Sequence, residues 1–196
     1  ASGVGMKFLS PIELTAKDGA KVYVWTKTAP HDAPTLIYFH GNAETVLSVA
    51  PMLVQFSDQY NVYALEYRGY GPSEERTTEK AIYNDARALI ENIQETNPYS
   101  PIIVYGRSLG TGVAMKMASE YDLGGVVLQS PYTSIEDVAQ GVYPFFPIKK
   151  LHMVKDNYNS LALAGKISEP VLILHGRDDR LIPLVQAERL ASRSEE

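Results

Sequence analysis

The residues with the clearest chemical potential are the five from Gly106 to Gly110, which read Gly-Arg-Ser-Leu-Gly. They follow a short apolar run and open a stretch with helical spacing, the context in which G-x-S-x-G marks a nucleophilic serine. Glycine on both sides of the serine permits the sharp turn that such a junction needs. The helix start then favours a negative charge that develops beside the serine. The pattern predicts nucleophilic catalysis by Ser108.

A second loop carries groups suited to stabilising an oxyanion. His40-Gly41-Asn42 ends another apolar run and enters a helical stretch. The backbone N–H groups of Asn42 and Leu109 are the predicted oxyanion hole, and Gly41 lets the backbone approach the substrate carbonyl. His40 is also a candidate base, but a histidine at a strand end more often orders the loop by hydrogen bonding.

The loop from His175 to Pro183 supplies candidates for the acidic group. A carboxylate after a late strand fits the chain order of serine, acid and histidine. Asp178 and Asp179 both qualify, although each also suits a turn or a helix cap. A metal site made of His175 and these two aspartates is the alternative, but it lacks further ligands nearby.

The elements that must position these loops alternate between strand-like and helix-like patterns. Continuous apolar runs bounded by Pro or Gly predict parallel strands buried on both faces; they cover residues 35–40, 61–66, 101–105, 125–129 and 170–175. Helical spacing predicts helices over 44–59, 78–96 and 109–120 and another from about 183. An Asp-Gly pair between 12–16 and 21–26 predicts an opening β-hairpin. The sequence thus predicts an α/β fold with a mostly parallel sheet.

Composition narrows the class of protein. The chain has 196 residues, 45% of them apolar, and a net charge of −5 with no cysteine. This predicts one globular domain over 1–196 and excludes disulfides and cysteine-ligated metals. The negative charge disfavours nucleic acid as a partner, and no run is long enough for a membrane helix.

Residues 131–169 form a long insertion between two predicted strands, rich in aromatic residues and prolines. We predict a cap that supplies an apolar wall to the substrate pocket; its residues are Tyr132, Val142, Tyr143, Phe145 and Phe146. Lys149, Lys150 and Lys155 would form a basic rim able to approach an anionic membrane surface. The alternative is an insertion that merely packs on the sheet.

Taken together, these blocks resemble α/β-hydrolases of the bud-emergence-protein type, which are related to the ABHD depalmitoylases. The matching segments cover almost the whole chain in order: Phe39–Ala43, Tyr67–Ser73, Gly106–Gly110, Gln129–Ser134 and Pro170–Pro183. The resemblance implies a doubly wound eight-stranded sheet with an antiparallel second strand and a cap after the sixth. It also implies Ser108 as nucleophile and Asp179 as acid, with no cofactor or metal.

The chain departs from this family in one respect: it has no histidine after Asp179, where the family places its base. We therefore expect the sequence to be a C-terminally truncated form that lacks a last helix, a strand and the catalytic histidine. The predicted function is hydrolysis of a small-molecule carboxylic ester or thioester. The alternatives are a peptidase-like serine hydrolase and a non-catalytic binding protein of the same fold. A cytoplasmic location is favoured over an upstream membrane anchor, and the oligomeric state is left open.

Overall fold

The sheet that positions the candidate site has seven strands in the computed structural model, which describes residues 9–70, 77–148, 151 and 153–194. The strands are β1 (Ser10–Thr15), β2 (Lys21–Lys27), β3 (Thr35–Phe39), β4 (Asn61–Glu66), β5 (Ile102–Arg107), β6 (Gly125–Gln129) and β7 (Val171–Leu174). Their order is β1-β2-β4-β3-β5-β6-β7. β2 pairs antiparallel with both β1 and β4, and the remaining neighbours are parallel. The predicted hairpin, parallel sheet and antiparallel second strand are confirmed.

The described residues form six α-helices, the last of which follows β7: α1 (Val46–Leu53), α2 (Glu79–Thr96), α3 (Leu109–Ala118), α4 (Ile135–Val142), α5 (Leu161–Ala164) and α6 (Leu184–Ser194). Side-chain caps fix where several of them begin. The Thr78 hydroxyl accepts the Ala81 N–H at the start of α2, and Thr45 and Ser48 form a reciprocal cap on α1. Such caps satisfy N–H groups that have no partner within the helix.

Helices cover both faces of the central strands. On β3, Ile37 and Phe39 belong to the core under α2 and α3, whereas Leu36 and Tyr38 belong to a second core under α1. This alternation follows from the two-residue period of a strand. The protein is therefore a doubly wound α/β structure, and the carboxyl ends of its parallel strands meet at one edge, where ligands bind in such sheets.

Two features differ from the sequence prediction. The strand β7 is not covered on both faces in the described residues: Val171 and Ile173 pack on the first core, but Leu172 and Leu174 are largely exposed. The insertion, to which the sequence analysis assigned no helix or strand, contains α4 and α5. It does lie after β6, as expected of a cap. In the described part of the chain, no helix is both long enough and apolar enough to span a membrane.

Candidate active site

Ser108 lies at the junction of β5 and α3 in a backbone conformation that an L-residue rarely adopts. Its φ is 49° and its ψ is −117°. The Ser108 N–H donates to the Gln129 carbonyl at 2.8 Å, and the Ser108 carbonyl accepts the Thr111 N–H at 2.9 Å. These bonds hold the strained turn in place. The Ser108 hydroxyl makes no hydrogen bond within the described residues, so it is free to meet a substrate.

The two glycines that flank the serine are required because any side chain there would clash with the backbone. A Cβ atom on Gly106 would lie 2.4 Å from the Gly110 carbonyl oxygen, and one on Gly110 would lie 2.0 Å from the Phe39 carbonyl oxygen. Both distances are far below van der Waals contact. Because α3 begins this close to the end of β3, the serine turn is brought against the loop that follows β3.

That loop, from His40 to Thr45, is joined to the serine turn by an ion pair. The Gly41 N–H donates to Glu44 Oε2 at 2.8 Å, and Glu44 Oε1 pairs with Arg107 Nη1 at 2.7 Å. The Asn42 amide oxygen accepts the Tyr70 hydroxyl at 2.6 Å. Within the described residues, neither the Asn42 N–H nor the Leu109 N–H has a hydrogen-bond acceptor. Two donors beside Ser108 are thus left unused, as an oxyanion hole requires.

Sequence reasoning missed the Glu44–Arg107 link and the support from Tyr70. The sequence places Arg107 directly before the serine and Glu44 two residues after Asn42, but it does not indicate that the two side chains pair. Their pairing depends on the closeness of two loops far apart in the sequence. In the segment Tyr67–Ser73, which matches the family, residues 71–73 lie outside the described residues.

His40 is fully buried and both of its ring nitrogens are engaged. Nδ1 donates to the Gly41 carbonyl at 2.8 Å, and Nε2 accepts the Tyr67 N–H at 3.4 Å. The ring stacks on Tyr67 with centroids 3.9 Å apart. Burial lowers the pKa of His40, which favours the neutral imidazole. These contacts favour the loop-ordering role, since no ring nitrogen remains to accept a proton from Ser108.

Glu66 sits beneath the same loop and is expected to make stability depend on pH. Its carboxylate accepts the Val46 N–H at 3.1 Å and lies 3.6 Å from His40 Nε2. Burial raises the pKa of Glu66 from 4.5 to about 7. Between pH 4.5 and pH 7 the folded protein therefore binds more protons at Glu66 than the unfolded chain does. The free energy of unfolding should then fall as the pH rises through this range. The Glu66 contribution is at most about 3 kcal/mol.

The measurement is urea unfolding of wild type and Glu66→Gln between pH 5 and pH 8. The amide still accepts a hydrogen bond but cannot ionise, so the variant should gain stability over wild type as pH rises. Glu95→Gln, at an exposed site on α2, is the control. A difference between Glu66→Gln and wild type that does not change with pH would contradict this prediction.

Asp179 lies in the loop after β7, and only one of its two carboxylate oxygens accepts hydrogen bonds from that loop. Its Oδ1 accepts the N–H groups of Leu181 and Ile182 at 3.0 and 2.9 Å. Its Oδ2 lies 3.9 Å from Nε2 of His175, which itself donates to the Ile182 carbonyl at 2.7 Å. Asp178 is exposed and has no hydrogen-bond partner among the described residues. The geometry therefore favours Asp179 as a fixed carboxylate that keeps one oxygen for another group.

The serine turn, the loop after β3 and the Asp179 loop meet around one cavity of about 320 Å³. Its lining comprises Asn42, Ser108, Leu109, Tyr132, Ile135, Val138, Asp156, Tyr158, Leu181 and Ile182. Most of these side chains are apolar or aromatic. A concave, mainly apolar site with a few convergent polar groups is typical of a small-molecule site.

The cap contributes to this cavity differently from the prediction. Tyr132 lines it, but Val142, Tyr143, Phe145 and Phe146 are exposed and lie outside its lining. The physical reason is that only the first turns of α4, with Ile135 and Val138, face the cavity, while the chain beyond α4 turns to solvent. Lys155 is exposed, and the predicted rim residues Lys149 and Lys150 lie outside the described residues.

None of the described histidines is hydrogen-bonded to Ser108. His40 is engaged at both ring nitrogens, whereas His175 is engaged at Nε2 only and its buried Nδ1 has no partner within the described residues. His31 bonds to the carbonyls of Asp32 and Asp58. His31 precedes β3, so it lies at the opposite edge of the sheet from Ser108. His152 lies outside the described residues. In the described part of the chain, no three His, Asp or Glu side chains are grouped closely enough to hold a metal.

Comparisons with known proteins agree with this architecture. Alpha/beta hydrolase domain-containing protein 17C of Mus musculus is 30% identical over 172 residues, which are 86% of this chain and 52% of that protein. An uncharacterized protein of Mycobacterium tuberculosis is 30% identical over 190 residues, 94% of this chain and 67% of that protein. The chain thus spans about half the length of the mouse protein.

Solved structures show the same fold at lower identity. The Pyrococcus furiosus esterase Pf2001 matches with a TM-score of 0.79 and 24% identity, over 100% of this chain and 79% of its own. A puromycin-hydrolyzing peptidase of Mycobacterium tuberculosis matches with a TM-score of 0.77 and 20% identity, over 95% of this chain and 34% of its own. A family model described as serine aminopeptidase, S33, matches residues 30–162, which is more than half of the sequence. The chain therefore belongs to the serine aminopeptidase S33 family of α/β-hydrolases.

Proposed function

We propose that this chain carries the nucleophile, the oxyanion hole and the acid of a serine hydrolase that cleaves carboxylic esters or thioesters. The observation that carries the proposal is the cavity onto which Ser108 opens from a strained turn, beside the unused N–H groups of Asn42 and Leu109. The loop of Asp179 forms another side of this cavity. Nucleophile, charge stabiliser and acid are the groups that acyl transfer requires.

The proposed reaction uses amino-acid side chains alone. Ser108 Oγ attacks the carbonyl carbon while a histidine accepts its proton, and the Asn42 and Leu109 N–H groups bind the resulting oxyanion. The histidine then protonates the leaving alcohol or thiol, and water releases the acyl group by the same route. Each oxyanion donor is worth about 3 kcal/mol in such enzymes. Asp179 Oδ2 is the oxygen that would orient the histidine.

The base is the part of this mechanism that the described residues do not supply. We assign it to a histidine outside these 196 residues, as the resemblance to the bud-emergence-protein type implies. His152 is the alternative within the chain. A peptidase-like reaction is supported by the family description and would use the same groups. The apolar lining of the cavity favours an acyl chain over a polar peptide.

The test is active-site labelling with a fluorophosphonate, applied to the product of the complete reading frame. Label mapped by mass spectrometry to Ser108 supports the proposal, because a fluorophosphonate reacts with an activated serine. Label on Ser130 or Ser134 would overturn the assignment, and no label at all would favour the non-catalytic binding alternative. Rates on matched esters, thioesters and aminoacyl anilides then separate acyl-ester from peptidase activity.

A further inference from the structure

The turn that follows α4 exposes an unusual amount of apolar surface. Six side chains are each about half exposed or more, and we call them the cap-tip patch: Val142 (47%), Tyr143 (62%), Phe145 (101%), Phe146 (51%), Leu151 (58%) and Met153 (56%). Isolated exposed apolar residues are common, but a cluster within twelve residues of sequence marks an interaction surface.

The cap-tip patch is held outward by a defined backbone structure. The Gln140 side-chain amide donates to the carbonyls of Tyr143, Pro144 and Phe146 at 3.3, 3.3 and 3.0 Å. Backbone bonds at 3.1 Å join Phe146 to Tyr143 and Leu151 to Pro147. Ile148 is buried and anchors the turn. These bonds fold the turn back on itself and give its exposed apolar side chains a fixed backbone.

The sequence segment that carries the patch is basic, and Asp156 follows it directly. Residues 141–155 contain three lysines and no aspartate or glutamate, whereas the chain as a whole has a net charge of −5. Of these lysines, Lys155 is exposed, whereas Lys149 and Lys150 lie outside the described residues. Exposed Phe and Tyr beside Lys are the combination that binds the interface of an anionic membrane.

The patch is continuous with the candidate active site. α4 lines the cavity with Ile135 and Val138 and ends at Val142, the first residue of the cap-tip patch. One short helix therefore joins the Ser108 cavity to the exposed apolar surface.

We propose that the cap-tip patch docks the protein on the surface of an anionic lipid bilayer. The further step, that docking delivers a membrane-held acyl ester or thioester to Ser108, rests on the proposed function, whereas the docking itself does not. A second copy of the chain is a poorer occupant, because self-association through this patch would bring two lysine-rich segments together.

The experiment is sedimentation of the 196-residue chain with vesicles of phosphatidylcholine, made with or without phosphatidylserine. Wild type should bind the anionic vesicles more tightly, and added salt should weaken this binding. Phe145→Ser should weaken binding at least about tenfold, because it removes an aromatic side chain that would enter the interface. Since Phe145 is fully exposed, this substitution removes no buried contact.

Tyr99→Ser is the matched control, because Tyr99 is 94% exposed and lies just before β5, at the edge of the sheet opposite Ser108. It should bind vesicles as wild type does, and Lys155→Glu should bind about fivefold more weakly.

Ser108→Ala should also bind as wild type, so a failure of the proposed hydrolysis leaves this test intact. Equal binding by Phe145→Ser and wild type, no preference for anionic vesicles, or a dimer that Phe145→Ser dissociates would overturn the proposal.

Discussion

Replacing Ser108 with alanine should slow ester hydrolysis by the product of the complete reading frame, lowering kcat/KM by at least about 10³-fold. Alanine keeps the backbone turn but removes the oxygen that forms the acyl-enzyme. The oxyanion N–H groups of Asn42 and Leu109 remain, which is why a small residual rate is expected. Initial rates on a p-nitrophenyl ester, with thermal unfolding to confirm the fold, measure the effect.

The control for this prediction is Ser130→Ala. Ser130 also has a positive φ, 52°, and follows β6 at the same edge of the sheet. It matches Ser108 in residue type, backbone strain and position after a parallel strand, but it does not line the cavity. Its replacement should leave most of the activity. A larger loss of activity for Ser130→Ala than for Ser108→Ala would move the nucleophile to the neighbouring strand.

The strands and the serine turn could be predicted because their signals are local. A run such as Thr35–Phe39 is mostly apolar and is buried at every position, since both of its faces are covered. The motif around Ser108 combines a residue type with a steric demand that only glycine meets. The helix predicted over 44–59 was too long at both ends: the Thr45 cap starts α1 at Val46, and the α-helix ends at Leu53, before a 3₁₀ turn.

The supports of the site could not be predicted because they depend on contacts between distant segments. Nothing local indicates that Glu44 pairs with Arg107, or that the Tyr70 hydroxyl binds Asn42. Likewise, the aromatic residues after α4 were assigned in the sequence analysis to a pocket wall, because large apolar side chains are usually buried. In the structure they are exposed, on a turn whose carbonyls accept hydrogen bonds from the Gln140 amide.

The second large loss of activity is expected when the histidine that acts as the base is missing. Residues 1–196 produced alone should hydrolyse p-nitrophenyl acetate at least about 10³-fold more slowly than the product of the complete reading frame. The reason is that a serine hydroxyl is a weak nucleophile without a base, and no described histidine is hydrogen-bonded to Ser108. His40 uses both ring nitrogens within its own loop, and His175 Nε2 donates to the Ile182 carbonyl. Steady-state rates of the two polypeptides at equal concentration measure the difference.

His152→Ala and His40→Ala in the 196-residue chain complete this test. If the chain alone reaches an ordinary enzymatic rate that is lost in Ser108→Ala, the base lies within it, and loss of that rate in His152→Ala would identify His152. Loss in His40→Ala alone would point to collapse of the loop, because its ring orders Gly41 and Tyr67; thermal unfolding separates that case from catalysis. If instead the product of the complete reading frame is as slow as the chain alone, the triad is not assembled. The cavity beside Ser108 would then be the binding site of a non-catalytic member of the family.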